Sequence, residues 1–363
     1  MGLWRAVGLP AAWRSRGSHL RQAGRPPWCW HRHVLGFGAA SLALVLCALA
    51  PERISFVVGL AAMEIASSFV LYATAFAALA QASTSGAQRS ITHLTLIAGF
   101  ASTVFWPLTS WLHQHMSWRE VYLLYALLNL MGALPVHLWL GRVVRRRRSS
   151  ARSEQAQKAA PAVQGRERWA MLMMLAAFAL LGFVASAITV HMVPMLAALG
   201  LGGAAVVVTT LFGPSQVLSR LVNMQFGRGL APPALALLAA AMLPLGLALL
   251  AVAAPWAPGA AVFAILFGFG NGLSSIVSGT LPLMLFGAAG YGARLGWISS
   301  ARLVASAAAP LAFSMVASAA SVKVAVWFVA LVGIASAAAF GAIWLVFGRK
   351  SEMVELSGAS TIV

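Results

Sequence analysis

The chain has 363 residues, of which 61% are hydrophobic and 9% charged, and its mean hydropathy is +0.85. Soluble domains carry about 25% charged residues, so this composition excludes an ordinary soluble globular protein as well as a disordered chain. All seven acidic residues are glutamates, which are too few and too scattered for a Mg²⁺ or Ca²⁺ cage. Cys29 and Cys47 lack metal-ligand spacing, so neither a metal nor another cofactor is expected.

The net charge of +18 first suggests a nucleic-acid partner. Such a partner needs a folded polar domain with a basic surface, and no stretch of this chain is both long and polar enough to form one. Basic residues of membrane proteins accumulate instead in cytoplasmic loops. The charge therefore indicates membrane topology and contact with lipid, and no nucleic-acid partner is expected.

The membrane spans are predicted from length and hydropathy, because a spanning helix needs about 20 mainly apolar residues. Ten segments qualify, and the first is the shortest: 34–50, 54–80, 90–112, 119–141, 169–196, 203–222, 232–254, 259–286, 294–316 and 324–347. With the N-terminus in the cytoplasm, 21 of the 25 basic residues fall on the cytoplasmic side. That total includes Arg220, at the end of the 203–222 span. This distribution predicts an integral membrane protein with both termini in the cytoplasm.

The polar connection 142–168 divides four predicted spans from six and begins with four consecutive arginines, Arg145–Arg148. It is interpreted as a solvated cytoplasmic linker that touches anionic lipid. It separates an N-terminal helical lobe, 34–141, from a C-terminal six-helix lobe, 169–348, which is followed by a cytoplasmic tail, 349–363. A weak repeat of a Gly-to-Arg segment, Ala-Ser and Pro-Leu at 86–108 and 290–311 agrees with parallel repeats in two-lobed secondary transporters.

Several motifs resemble the major facilitator superfamily, near its bacterial monocarboxylate-transporter-like members. These motifs are Phe100–Leu108, Trp118–Arg119, Thr189–Pro194, Phe212–Gln216, Gly279–Pro282 and Tyr291–Gly296. The resemblance implies an all-α, two-lobed bundle of twelve helices, of which this chain shows about ten, in a 4 + 6 arrangement without counterparts of the first two. It also implies a monomer in the bacterial inner membrane.

The N-terminal segment 1–33 contains six arginines and four tryptophans and no acidic residue. Three interpretations stay open: a mitochondrial transit peptide, a genuine cytoplasmic tail, or a non-native reading frame that replaced two helices. The abrupt change of composition at Val34 favours the last.

Two charged residues inside predicted spans are the main functional candidates, because charge within a membrane is costly and usually faces a cavity or a partner. Glu64 is expected near the middle of the 54–80 span, as a proton carrier, a cation ligand or a protonated structural hydrogen-bond donor. Arg302 is expected about 12 Å inside its span, where it would bind a carboxylate or extend toward the cytoplasmic surface. A Glu64–Arg302 pair between the lobes is a further hypothesis.

Five uncharged or weakly basic residues complete the candidate set. His191 is interpreted first as a packing residue and second as a titrating group. Gln216, Asn271 and Tyr72 would bond to a substrate or, more commonly, bond neighbouring helices together. Trp106 would line the cavity or simply pack.

These observations predict a secondary active transporter of a small organic solute, a carboxylate, that works by alternating access with coupling to H⁺. A non-transporting remnant or membrane interaction protein and a lipophile efflux protein are the alternatives. Enzymatic activity is not expected, because G-x-S-x-G, H-E-x-x-H and Walker motifs are absent from the sequence.

Overall fold

Residues 28–68, 70, 72–82, 86–139, 142, 164–288 and 290–359 are described by the computed structural model, and these residues form helices and turns without a β-strand. Most of the predicted 1–33 segment and of the 142–168 linker, including Arg145–Arg148, therefore lies outside the described residues. The described helices are α1 (Trp28–Leu49), α2 (Arg53–Ser68), α3 (Tyr72–Ala82), α4 (Ala87–His115), α5 (Trp118–Leu128), α6 (Gln164–Leu196), α7 (Ala204–Thr210), α8 (Phe212–Phe226), α9 (Pro232–Ala253), α10 (Ala257–Phe286), α11 (Tyr291–Ala319) and α12 (Val322–Ala359).

Seven of the described helical segments are long and apolar enough to cross a membrane. They are Trp118–Trp139, Glu167–Leu201, Ala204–Phe226, Pro232–Ala253, Ala257–Phe286, Tyr291–Ala319 and Val322–Phe347, and Val34–Leu49 is a shorter apolar helix. Eight of the ten predicted spans therefore coincide with these helices. The predicted 54–80 span is described as two helices, α2 and α3, and the predicted 90–112 span lies within α4, so the count of ten stays a prediction.

The chain divides into two compact units, Met1–Val70 with Tyr122–Ser153 and Leu71–Val121 with Glu154–Val363. In the described part of the first unit, α1 and α2 pack closely where Gly59 faces Cys47. A Cβ atom at Gly59 would lie 2.8 Å from the Cys47 Sγ atom. Phe56 meets Tyr122 edge-on with ring centroids 6.0 Å apart, so aromatic contacts join α2 to the helix that begins at Trp118.

The core of the second unit lies among α6, α9, α10 and α12. Phe178, Leu243, Phe263, Phe267 and Phe340 are fully buried there, and Phe178 meets Phe340 edge-on at 5.1 Å. In this core α9 packs against α10 and α12, and α6 packs against α11 and α12. The faces of these helices carry many small alanines, and the aromatic side chains fill the space between them.

Glycines on α10 allow α8 and α9 to approach it from two sides. Cβ atoms at Gly268 and Gly272 would overlap backbone or side-chain atoms of α8, and one at Gly270 would overlap atoms of α9. Small residues at helix contacts are typical of membrane bundles, where packing replaces the hydrophobic effect between helices. The spacing of two residues places alternate glycines on different faces of α10.

A short link connects α10 to α11. Gly287 and Gly290 both have a φ of +67°, a left-handed conformation that glycine adopts without steric cost. Arg294, in the first turn of α11, donates from Nη1 to the Phe286 carbonyl at 3.2 Å and stacks its guanidinium 4.7 Å from the Phe286 ring centroid. The end of α10 is therefore capped by a residue of α11.

Candidate functional site

Arg302 lies near the middle of α11, where α11 packs against α6. Its aliphatic stem passes over Gly182 of α6, and a Cβ atom at Gly182 would overlap the Arg302 Cγ atom. The Arg302 side chain as a whole is exposed in the described structure. The close approach at Gly182 thus holds the stem of a side chain that the protein does not bury.

Arg220 is a buried charged residue that the sequence interpretation did not include among its candidates. It was assigned to the cytoplasmic side, but the structure buries it within the Ala204–Phe226 span with only 6% of its surface exposed. Its Nε atom lies 3.3 Å from the Gly272 carbonyl and 3.1 Å from Ser275 Oγ, both on α10. Arg220 therefore contacts α10 inside the bundle and is not a loop residue, while the side of the membrane nearest to it stays a prediction. Its spacing of four residues from Gln216, which places both on one face, was the available signal.

Tyr72 lies at the start of α3 and stacks on Phe76 of the same helix, with ring centroids 5.3 Å apart. α3 packs against α10 and α11, so the helix that carries Tyr72 lies beside the helix that holds Arg220 and the helix that carries Arg302. No glutamate whose side chain is described forms an ion pair with either arginine.

Gln216 and Asn271 form a direct hydrogen bond between α8 and α10. The Asn271 Nδ2 atom donates to Gln216 Oε1 at 3.1 Å. The bond uses one donor of one amide and one acceptor position of the other, so both side chains retain hydrogen-bonding capacity. Gln216 precedes Arg220 by one helical turn and Asn271 precedes Gly272, which places the amide pair beside the arginine.

His191 joins α6 to α11 further along the bundle. Its Nδ1 atom lies 3.0 Å from the Ala187 carbonyl, and its Nε2 atom lies 3.0 Å from Ser314 Oγ. The imidazole also stacks on Phe313 with ring centroids 4.6 Å apart. Both ring nitrogens have partners in the bundle, which is the arrangement of a packing histidine.

The structure says less about the remaining two candidates, Glu64 and Trp106. Glu64 lies in the last turns of α2, in the first compact unit; its side chain is exposed, and its carbonyl accepts a hydrogen bond from Ser67 Oγ at 2.7 Å. Trp106 lies on α4, but its side chain is outside the described part of the structure. The pairing of Glu64 with Arg302 stays a prediction.

A cavity of about 480 Å³ lies in the second unit at the ends of α4, α8 and α9, beside Ile276 and Thr280 of α10. Gln88, Arg89, His93 and Asn223 contribute its main polar groups. Asn223 follows Arg220 by three residues, about 4.5 Å along the helix axis, and its Oδ1 atom is buried without a hydrogen-bond partner. The cavity thus reaches to about one helical turn from Arg220.

Comparison with known proteins identifies the family. A family model described as Major Facilitator Superfamily matches residues 29–310, which is more than three quarters of the chain. The chain belongs to the major facilitator superfamily of membrane transporters, and the predicted all-α fold of that family is confirmed. Transporters of this family are generally not enzymes. No curated protein sequence matches the chain.

Solved structures of the family share this fold. The crystal structure of the human organic anion transporter MFSD10 (TETRAN) is 13% identical, with a TM-score of 0.67 over 85% of this chain and 76% of that chain. A variant of the E. coli fucose:proton symporter FucP is 15% identical, with a TM-score of 0.56 over 86% and 83%. The proton:xylose symporter XylE is 12% identical, with a TM-score of 0.57 over 85% and 82%.

Proposed function

We propose that the protein is a secondary active transporter of a small organic carboxylate, which it moves by alternating access with coupling to H⁺. Membership of the family supports secondary transport in general. The choice of a carboxylate depends on one observation, which is the accessible Arg302 guanidinium without an acidic partner among the described residues.

The electrostatics of Arg302 favour an anionic substrate. A guanidinium keeps its proton at physiological pH, so Arg302 stays positively charged. A carboxylate can bind it through two parallel hydrogen bonds. Binding of an organic anion would therefore neutralise a charge for which the described residues supply no counter-ion.

The functions named for the similar structures support the proposal. One of them is an organic anion transporter, and two are proton symporters. For proton coupling we propose Glu64, an exposed carboxylate on an apolar helix. A monomer in the bacterial inner membrane with cytoplasmic termini, as in the monocarboxylate-transporter-like branch, completes the proposal.

Uptake by proteoliposomes tests the function. Purified protein is reconstituted, a pH gradient is imposed, and uptake of radiolabelled acetate, propionate, butyrate and succinate is measured. Arg302→Gln should lower carboxylate kcat/KM by about 10- to 100-fold, because hydrogen bonds to charged groups contribute about 1.5–3 kcal/mol. Arg53→Gln, the same change at an exposed helix start in the first unit, should leave uptake unchanged. Glu64→Gln should remove the acceleration by the pH gradient.

The outcomes separate the alternatives. Carboxylate uptake no faster than in protein-free liposomes contradicts the proposal and favours a non-transporting membrane protein. Flux of a lipophilic dye that Arg302→Gln does not change favours lipophile efflux.

A further inference from the structure

The cavity of about 480 Å³ in the second unit is lined by polar side chains from one helix and by apolar side chains from others. α4 contributes most of the polar residues, which are Gln88, Arg89, Thr92 and His93. α8, α9 and α10 contribute apolar residues that include Met224, Leu235 and Ile276. A cavity with this composition fits a ligand that is itself amphipathic, with a polar head and an apolar part.

Three of the α4 side chains have hydrogen-bond donors that the protein does not use. Gln88, Arg89 and His93 are exposed, and none of their side chains bonds to a described residue. Arg89 and His93 are four residues apart, which places them on one face of α4. Thr92 Oγ1 already donates to the Gln88 carbonyl at 3.1 Å. No glutamate is among the described residues that line the cavity, so Arg89 has no counter-ion there.

Asn223 of α8 adds an amide to the same cavity. Its Oδ1 atom is buried where a Cβ atom at Gly227 would overlap it. Its Nδ2 atom has no hydrogen bond to a described residue and is not buried. The free side-chain groups of Gln88, Arg89, His93 and Asn223 can therefore all donate. A phosphate group suits this set, because it is anionic and offers more acceptor oxygens than a carboxylate.

The cavity lies toward one end of the helices that line it. At 1.5 Å per residue, His93 is about 9 Å from the start of α4 and Ile276 about 15 Å from the end of α10. Half of the hydrocarbon thickness of a bilayer is about 15 Å, so this depth corresponds to a lipid head group and the upper part of its chains. Basic pockets between membrane helices are known to bind lipid phosphate groups.

We propose that this cavity binds an anionic membrane phospholipid, with its phosphate at Arg89 and His93 and its apolar part against Met224, Leu235 and Ile276. The bound lipid bridges the start of α4 and the helices α8, α9 and α10. Arg302 is not among the residues that line the cavity. The lipid site is therefore separate from the proposed substrate-binding residue and does not depend on the transported substrate.

Three matched probes test the proposal on the purified full chain in detergent. Dioctanoyl-phosphatidic acid carries both the phosphate and the chains, dioctanoylglycerol lacks the phosphate, and glycerol phosphate lacks the chains. The unfolding temperature is measured against the concentration of each probe, because a ligand that binds the folded state stabilises it by mass action. Dioctanoyl-phosphatidic acid should bind about 10-fold more tightly than either other probe, since each of those lacks one of the two kinds of contact.

Variants of Arg89 locate the bound lipid. Arg89→Gln should weaken the binding of dioctanoyl-phosphatidic acid by about 10-fold through loss of a charge-assisted hydrogen-bonding group. Arg89→Lys, which keeps the charge, should preserve part of the affinity. Arg53→Gln is the matched control, because it makes the same change at an exposed arginine of the first unit, and it should bind the lipid as the wild type does.

Four results would overturn the proposal. Equally tight binding of dioctanoylglycerol would show that the phosphate is not recognised, and equally tight binding of glycerol phosphate would show that the ligand is a soluble phosphate ester. Unchanged affinity in Arg89→Gln would place the lipid outside this cavity, and an equal loss in Arg53→Gln would show a general effect of surface charge. All four leave the proposed transport function standing, because uptake and its dependence on Arg302 are measured separately.

Discussion

Two groups of polar side chains in the second unit, which we call walls, differ in whether protein groups bind the arginine that each contains. The α8–α10 wall consists of Gln216 and Arg220 on α8 with Asn271 and Ser275 on α10, and its side chains bond to one another or to backbone. The α6–α11 wall consists of Ser186 and His191 on α6 with Arg302 and Ser314 on α11. There the neutral groups are bonded, and Arg302 remains accessible.

This difference indicates that one wall serves mainly stability and the other mainly ligand binding. A charge that protein groups hold firmly has a fixed position, and fixed positions give specificity because they match only some ligands. A charge that solvent reaches can attract a ligand first and lose its water on binding. We therefore expect changes in the α8–α10 wall to affect mainly stability and changes in the α6–α11 wall to affect mainly transport.

The largest stability effect is expected for Gly272→Ala. A Cβ atom there would lie 2.5 Å from the Gln216 carbonyl oxygen and 2.9 Å from Gln216 Cα. Because these are backbone atoms, α8 and α10 must separate, and overpacking of this kind costs about 3 kcal/mol. Thermal unfolding in detergent measures the loss. Gly296→Ala on α11, where no atom lies within 4 Å of the added Cβ, should be neutral or stabilising. An unfolding temperature as high as that of the wild type would contradict the close contact.

Gly182→Ala is expected to lower transport more than stability, which is the reverse of the effect expected for Gly272→Ala. Its Cβ atom would overlap Arg302 Cγ and lie 2.9 Å from Ser306 Oγ. These two are side-chain atoms, and the Arg302 carbonyl oxygen at 3.1 Å needs to move by only a few tenths of an ångström, so the cost in stability should be about 1 kcal/mol. The displaced guanidinium should lower carboxylate kcat/KM by about 10-fold, since misplacement of a binding group by about 1 Å is enough for such losses. Unchanged transport with a large loss of stability would contradict the proposed contrast between the walls.

The smallest effect is expected for the amide pair. Asn271→Ala and Gln216→Ala each remove the hydrogen bond between α8 and α10, which should contribute about 0.6 kcal/mol by analogy with other membrane helices. A double-mutant cycle on thermal stability measures this coupling directly. A coupling energy of zero would mean that the two amides do not stabilise the contact between the helices.

The fold was largely predictable because membrane helices are read from length and hydropathy. The six predicted spans of the C-terminal half lie within a few residues of Glu167–Leu201 and the five segments after it, and family motifs indicated the architecture. The helix predicted over 54–80 was less accurate, since the described chain makes a turn at Val70 between α2 and α3. Hydropathy alone does not register such a break, because the residues around it are as apolar as those of a continuous helix.

The candidate site was only partly predictable. Arg302 stood out because it lies well inside an apolar segment. Arg220 did not, because it lies near the end of its span, where the positive-inside rule assigns arginine to a loop. Its burial depends on Gly99 and Gly272 of two other helices, and the hydrogen bond between Gln216 and Asn271 joins residues 55 positions apart. Contacts between distant segments of this kind are not visible in one sequence.

The link between α10 and α11 has a mechanical consequence. Four residues, 287–290, and the Arg294 cap tie these helices together at the end near the 480 Å³ cavity. At the opposite ends, α10 is connected to α9, which precedes it, and α11 is connected to α12, which follows it. The chain therefore does not link α10 directly to α11 at those ends. Any movement that spreads the far ends of α10 and α11 would leave their linked ends together, and it would move Arg220, which is hydrogen-bonded to α10, relative to Arg302 on α11.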